Sequence, residues 1–125
     1  MITVLLVDDS PTVRTMVSDL LKSKGVQVIE ACDGIDAIEK MQAKCPDLVI
    51  TDIVMPRMNG YELCRWVKNN FKEQNIPVLM CTSKSEQFDH YWGLKQGADA
   101  YITKPFQPAD LIQTMKKLLK KVANP

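Results

Sequence analysis

The chain has 125 residues, 46% of them hydrophobic, with 16 Lys and Arg against 15 Asp and Glu. That length makes one domain with a full core and leaves no room for a second. A net charge of +1 argues against a dedicated nucleic-acid binder, no apolar stretch approaches the roughly 18 residues of a membrane span, and entry straight into a strand leaves no signal peptide, so a cytoplasmic protein is expected.

The first apolar run, Val4-Leu5-Leu6-Val7, ends in Asp8-Asp9. Ser10 before Pro11 predicts a helix N-cap with proline in the first turn. Val13, Met16, Val17, Leu20 and Leu21 then share one helical face, and Gly25 ends it. Val26 to Glu30 reads as a second strand. Asp33 starts a helix with Ala37, Ile38 and Met41 inward, closed by Pro46. Leu48-Val49-Ile50 leads into Thr51-Asp52, then a loop from Val54 to Gly60. The next helix places Leu63, Cys64, Val67 and Phe71 on one side, with Trp66 flanking them.

Pro77 opens a fourth strand, Val78 to Cys81, ending in Thr82-Ser83. Residues 85–96 read as a helix of less regular pattern, stopped by Gly97. Ala100 to Thr103 is a fifth strand ending in Lys104-Pro105. The final helix begins near Pro108 and carries the stripe Leu111, Ile112, Met115, Leu118, Leu119 and Val122. The apolar, β-branched runs read as strands buried on both faces. Strict alternation of five strands with five helices predicts a doubly wound α/β fold with a parallel sheet.

In such a sheet, function collects beyond the carboxyl ends of the strands. Asp8, Asp9, Asp52, Thr82 and Lys104 would meet there. Two carboxylates about 4 Å apart repel by roughly 4 kcal/mol at an effective dielectric near 20. The trio therefore needs cations, supplied by Lys104 and a hard divalent ion. Mg²⁺ fits, since it binds through one or two carboxylates plus phosphate oxygens. A carboxylate beside Mg²⁺ and Lys can attack phosphorus, giving an aspartyl phosphate. Neither a P-loop nor a Ser-His-Asp set is present, His90 being the only histidine. Cys32, Cys45, Cys64 and Cys81 form no CxxC, which predicts free, mostly buried thiols. The seven methionines read as core filler, and Lys116, Lys117, Lys120 and Lys121 as a solvated face.

The segments LLVDDSPTVR, DLVITDIVMPRMNGYELCRWVK, PVLMCTS and GADAYITKPF resemble the receiver domains of two-component response regulators, the CheY-like family, over residues 2 to 122. The resemblance implies a flavodoxin/CheY-like sheet of order 2-1-3-4-5, the strand order that flavodoxin and CheY themselves exemplify. It makes Asp52 the phosphoacceptor and sets Asp8, Asp9, Asp52 and the backbone carbonyl of Val54 around Mg²⁺. It casts Thr82 as the switch hydroxyl, Lys104 as the partner of the phosphoryl group, Lys104-Pro105 as a cis bond and Tyr101 as an aromatic rotamer switch. A histidine kinase or histidine phosphotransfer protein would donate the phosphoryl group. A target protein would bind the face of the fourth helix, fifth strand and fifth helix, with no direct nucleic-acid contact and no membrane insertion. Residues His90-Tyr91-Trp92 and the GADAYITKPF run are similar to stand-alone regulators of type IV pilus motility. A single receiver domain over residues 1–125 with no output domain is the expectation.

A small Mg²⁺-dependent phosphatase or phosphotransferase with an aspartyl intermediate is the alternative. Against it, Asp52 is followed by Ile53-Val54, so a second carboxylate two residues on is missing, and no insertion could form a substrate-covering cap. The chain is therefore expected to be no enzyme beyond catalysing its own phosphorylation and dephosphorylation.

Overall fold

The computed structural model describes residues 1–82 and 97–123, without the side chains of Thr82 and residues 121–123. Five strands, β1 (Thr3–Val7), β2 (Gln27–Ala31), β3 (Leu48–Asp52), β4 (Val78–Thr82) and β5 (Ala100–Thr103), form one sheet of order β2-β1-β3-β4-β5. All neighbours run parallel. Four helices lie among the described residues: α1 (Pro11–Ser23), α2 (Gly34–Ala43), α3 (Gly60–Asn70) and α4 (Pro108–Ala123). The helix expected over 85–96, with Tyr91 and Trp92, lies outside the described residues. None of the described helices is long and apolar enough to cross a membrane.

Local chemistry starts α1, α2 and α3. Ser10 Oγ accepts from the Val13 N–H at 3.3 Å ahead of Pro11. Asp33 accepts from the Asp36 N–H at 2.9 Å. Asn59 and Glu62 form a reciprocal capping box on α3. Gly25 leaves α1 with φ +80°, a backbone that glycine adopts without a steric penalty.

Alternation along the strands divides the core. Val4, Leu6, Leu48 and Ile50 face α1 and α4, packing on Val17, Leu21, Leu111 and Met115. Leu5, Val7, Val49 and Met80 face α2 and α3, packing on Met41, Leu63 and Val67. Leu5, Leu21, Leu63 and Leu111 are fully buried, each stabilising the fold by about 2 kcal/mol relative to exposure.

Some expectations need correction. β5 is half-buried throughout, not buried on both faces, because it is an edge strand with one partner. Phe71 keeps to the α3 stripe, packing half-buried on the same core as Leu63, Cys64 and Val67, but it is the C-cap residue rather than part of the helix, its ring 5.7 Å from that of Trp66. Cys64 and Cys81 are buried, but Cys32 and Cys45 lie exposed in loops. Burial pushes the buried thiols up, Cys64 to about 11 and Cys81 to about 12, so neither is a nucleophile at neutral pH. Met41, Met55, Met80 and Met115 fill the core, whereas Met16 is exposed.

Ser18 on α1 is buried, and its hydroxyl finds no partner among the described residues. A buried unmade hydrogen bond costs on the order of 1 kcal/mol. Ser18→Ala is therefore expected to raise stability by about 1 kcal/mol, read as a higher urea midpoint at unchanged slope. A lower midpoint would show that the hydroxyl is satisfied.

Candidate functional site

Strand register brings the expected residues to one edge. Val7 pairs with Thr51, so Asp8 emerges level with Asp52. Asp52 pairs with Cys81, and Thr82 with Thr103, so Thr82 follows one step and Lys104 two steps further along. By the same alternation Asp8 and Asp52 project on the α1/α4 side, where both line a small cleft with Lys104 and Phe106.

Asp8, Asp9 and Asp52 each offer a carboxylate oxygen within 4.8 Å of the others. Asp8 is buried, Asp52 half-buried and Asp9 exposed. The Asp8 oxygens are already engaged: Oδ1 accepts from the Ser10 N–H at 2.9 Å and Oδ2 from Lys104 Nζ at 2.8 Å. Arg14 donates to the Asp8 carbonyl at 2.6 Å, fixing the backbone below it. Asp52 Oδ1 accepts from the Ile53 N–H at 2.8 Å. Its Oδ2 faces Lys104 Nζ at 3.8 Å.

Burial raises the Asp52 pKa above the ordinary carboxylate value; Lys104 opposes this, while Asp8 and Asp9 add to it. Burial works against the Lys104 charge too, but the bond to Asp8 and the nearby Asp52 outweigh it and hold the ammonium above its ordinary pKa. The cluster thus holds more negative charge than Lys104 neutralises. A hard cation with oxygen ligands fits this donor set, with Asp9 and Asp52 the better-placed carboxylates because Asp8 is occupied.

Val54 lies in the loop after β3 and is exposed. The Lys104-Pro105 peptide bond is cis. Tyr101 is half-buried against the α2/α3 core. Thr82 ends β4, its side chain outside the described residues.

Two features escape sequence reasoning. Arg57 in the β3–α3 loop forms a two-pronged ion pair with Asp33, Nε to Oδ2 at 2.7 Å and Nη2 to Oδ1 at 2.9 Å. The Arg57 guanidinium holds the Asp33 carboxyl below its ordinary pKa. Gly60 sits against the Asp52 backbone, where a Cβ would meet the Asp52 carbonyl oxygen and lie 3.0 Å from Ile53 Cα. The sole local signals are a capping Asp33 and a glycine after the capping Asn59.

A carboxylate trio and a lysine at the carboxyl end of a 2-1-3-4-5 sheet describe a phosphoryl-accepting signalling domain. The chain belongs to the response regulator receiver domain family, whose model matches residues 4–116. It is 42% identical to Protein PilG of Pseudomonas aeruginosa over 113 residues, covering 90% of this chain and 84% of that one. It is 37% identical to Protein PilH of the same organism over 116 residues, covering 93% and 96%. Among solved structures, the chemotaxis protein CheY4 of Vibrio cholerae superposes with a TM-score of 0.88 at 36% identity, covering 94% of this chain and 98% of that one. The chain also matches longer transcriptional regulators, spanning about half of their length, 48% in one case.

Proposed function

We propose that the domain is a switch that takes a phosphoryl group from a histidine kinase or histidine phosphotransfer protein onto Asp52. The observation that carries this reading is the split use of the Asp52 carboxylate. One oxygen is held by the Ile53 N–H, and the other is left facing Lys104. That second oxygen is the nucleophile: an O–P bond forms as the donor's N–P bond breaks, and the donor imidazole leaves. Asp9, Asp52 and the Val54 carbonyl would hold Mg²⁺, with Asp8 assisting. Bound there, the ion would neutralise charge on the phosphoryl oxygens.

Lys104 then moves its donor from Asp8 toward the phosphoryl group. Thr82 donates its hydroxyl to a phosphoryl oxygen, and Tyr101 turns inward. Contacts that exist in one state only are what allow phosphorylation to shift a conformational equilibrium. The target is a protein that reads the side of the domain carrying β5 and α4, as the near-neutral net charge of +1 supports. Dependence on a kinase sets its place in the cytoplasm. The chain catalyses its own phosphorylation and dephosphorylation and turns over no metabolite. The likeness to the chemotaxis protein CheY4 supports a role in motility or chemotaxis-like signalling.

Asp9→Ala tests the metal assignment. Titration calorimetry is expected to show Mg²⁺ affinity falling at least tenfold, because one of few charged ligands is lost. Unchanged affinity would place the ion elsewhere.

A further inference from the structure

We propose that the Arg57–Asp33 ion pair is a positioning device for the metal and phosphoryl site: it clasps the loop that carries Val54 to the start of α2 and so pre-sets the oxygen ligands. This rests on the reading of Val54 and the three carboxylates as the Mg²⁺ site.

The pair is buried on the Asp33 side and open to solvent on the other, the Arg57 side chain being 57% exposed. Asp33 is buried, and both of its oxygens are used. Oδ1 takes the Asp36 N–H and Arg57 Nη2, and Oδ2 takes Arg57 Nε. Charge-assisted, two-pronged pairs of this kind fix orientation as well as distance. Arg57 holds φ at +65°, a region where a residue with a Cβ is strained. Such strain persists where surrounding structure over-determines it, and here the ion pair acts together with the turn that closes around Arg57.

A second contact follows directly. Met58 lies over Gly34, where an added Cβ would come within 2.7 Å of the Met58 side chain. Consecutive loop residues 57 and 58 therefore meet consecutive residues 33 and 34. A short turn, Met58 N–H to the Pro56 carbonyl at 2.7 Å, closes around Arg57 itself, three residues on from Val54.

The geometry of the sheet makes this clasp matter to the site. Asp33 follows β2, Arg57 follows β3, and the two strands flank β1, which delivers Asp8 and Asp9. β2 is tied to Asp8 itself, whose N–H donates to the Ala31 carbonyl at 3.1 Å. The clasp thus joins the segment carrying Asp52 and Val54 to the one that fixes Asp8. Arg57 is a positioning residue: its bonds go to Asp33, not to the carboxylate cluster. A group bonded directly to a metal ligand changes metal affinity by about 10–100-fold, and the clasp acts one contact further out, so the low end of that range is expected.

The experiment compares Arg57→Ala, Asp33→Asn and the double variant in the full chain by Mg²⁺ calorimetry, thermal unfolding and phosphorylation by a small acyl phosphate. Asp33→Asn leaves the loop sequence intact and keeps a good helix cap. Lys68→Ala is the control. It breaks the Lys68–Asp99 pair, 2.6 Å, which joins α3 to the segment entering β5. Each clasp variant is expected to weaken Mg²⁺ binding about tenfold, the double no more than either single, with Lys68→Ala within twofold of wild type. Phosphorylation of the clasp variants should return to within twofold of wild type at saturating Mg²⁺, since no reacting group is lost. A merely structural pair would lower the unfolding temperature without moving Mg²⁺ affinity, and that result overturns the proposal. Equal weakening by Lys68→Ala, or a rate defect that Mg²⁺ does not rescue, also overturns it. A wild type that binds no Mg²⁺ overturns the metal reading itself, and this inference with it.

Discussion

Asp52→Asn is expected to accept no phosphoryl group at position 52, and at neutral pH without metal to unfold at a higher temperature than the wild type. The first half follows from nucleophilicity: an amide oxygen does not attack phosphorus as a carboxylate does. The shape is kept, because the amide oxygen can still accept from the Ile53 N–H. The second half follows from linkage. Burial, with Asp8 and Asp9 adding to it against Lys104, raises the folded-state pKa of Asp52 above the ordinary 3.8. The folded state therefore binds this proton more tightly than the unfolded one, and the ionised carboxylate costs stability. That cost is full above the raised pKa and fades as pH falls through it toward 3.8. Asparagine carries no such cost, so its advantage should be clear at pH 7 and close on acidification. Mass spectrometry after treatment with a small acyl phosphate and Mg²⁺ reads the first outcome, and thermal unfolding against pH the second. Modification of the variant at residue 52 would end the phosphoacceptor assignment. A variant less stable than wild type at pH 7 would mean that Asp52 is stabilised by Lys104 more than it is penalised by burial.

Gly60→Val is expected to cost about 3 kcal/mol of stability, in the range of overpacked buried sites, and to slow phosphorylation at least tenfold. Gly60 opens α3, and its N–H donates to the Ile53 carbonyl at 2.8 Å. The helix backbone packs directly on the end of β3. A Cβ there would meet the Asp52 carbonyl oxygen and approach the Asp52 carbonyl carbon at 3.1 Å. Those atoms are backbone and cannot swing aside as a long side chain would. Either α3 lifts away from the strand or the strand end moves, and Asp52 moves with it. A shift of about 1 Å at a reacting group can cost a hundredfold in rate. Urea unfolding and the initial phosphorylation rate are the measurements. Gly60→Ala, the milder form, should show the same two effects at smaller size. Wild-type stability in the alanine variant would mean that the close approach relaxes freely.

Much of the site was legible in the chain because its signals are local. Apolar runs of four or five residues ending in Asp8-Asp9, Asp52, Thr82 and Lys104 announce strands and their carboxyl ends. Parallel pairing then needs little more to bring those ends to one edge. Ser10 and Asp33 mark helix starts because a cap works on the N–H groups of its own first turn. Continuous apolar runs at β1 and β3 announce a sheet covered on both faces.

Contacts between residues far apart in sequence were decided by the tertiary structure alone. Lys104 donates to Asp8, 96 residues away, and stands further from Asp52. That choice sets which carboxylates are open to a cation. Arg57 reaches Asp33 across 24 residues from a backbone conformation that no local pattern announces. Gly60 is required by a neighbouring strand rather than by its own φ. Half-burial of β5 follows from its place at the edge, and exposure of Cys32 and Cys45 from their loops. Periodicity and caps report what a residue does to its neighbours within a turn or two. Which distant side chain fills the space beside it depends on how the layers pack, and that is a property of the assembled fold.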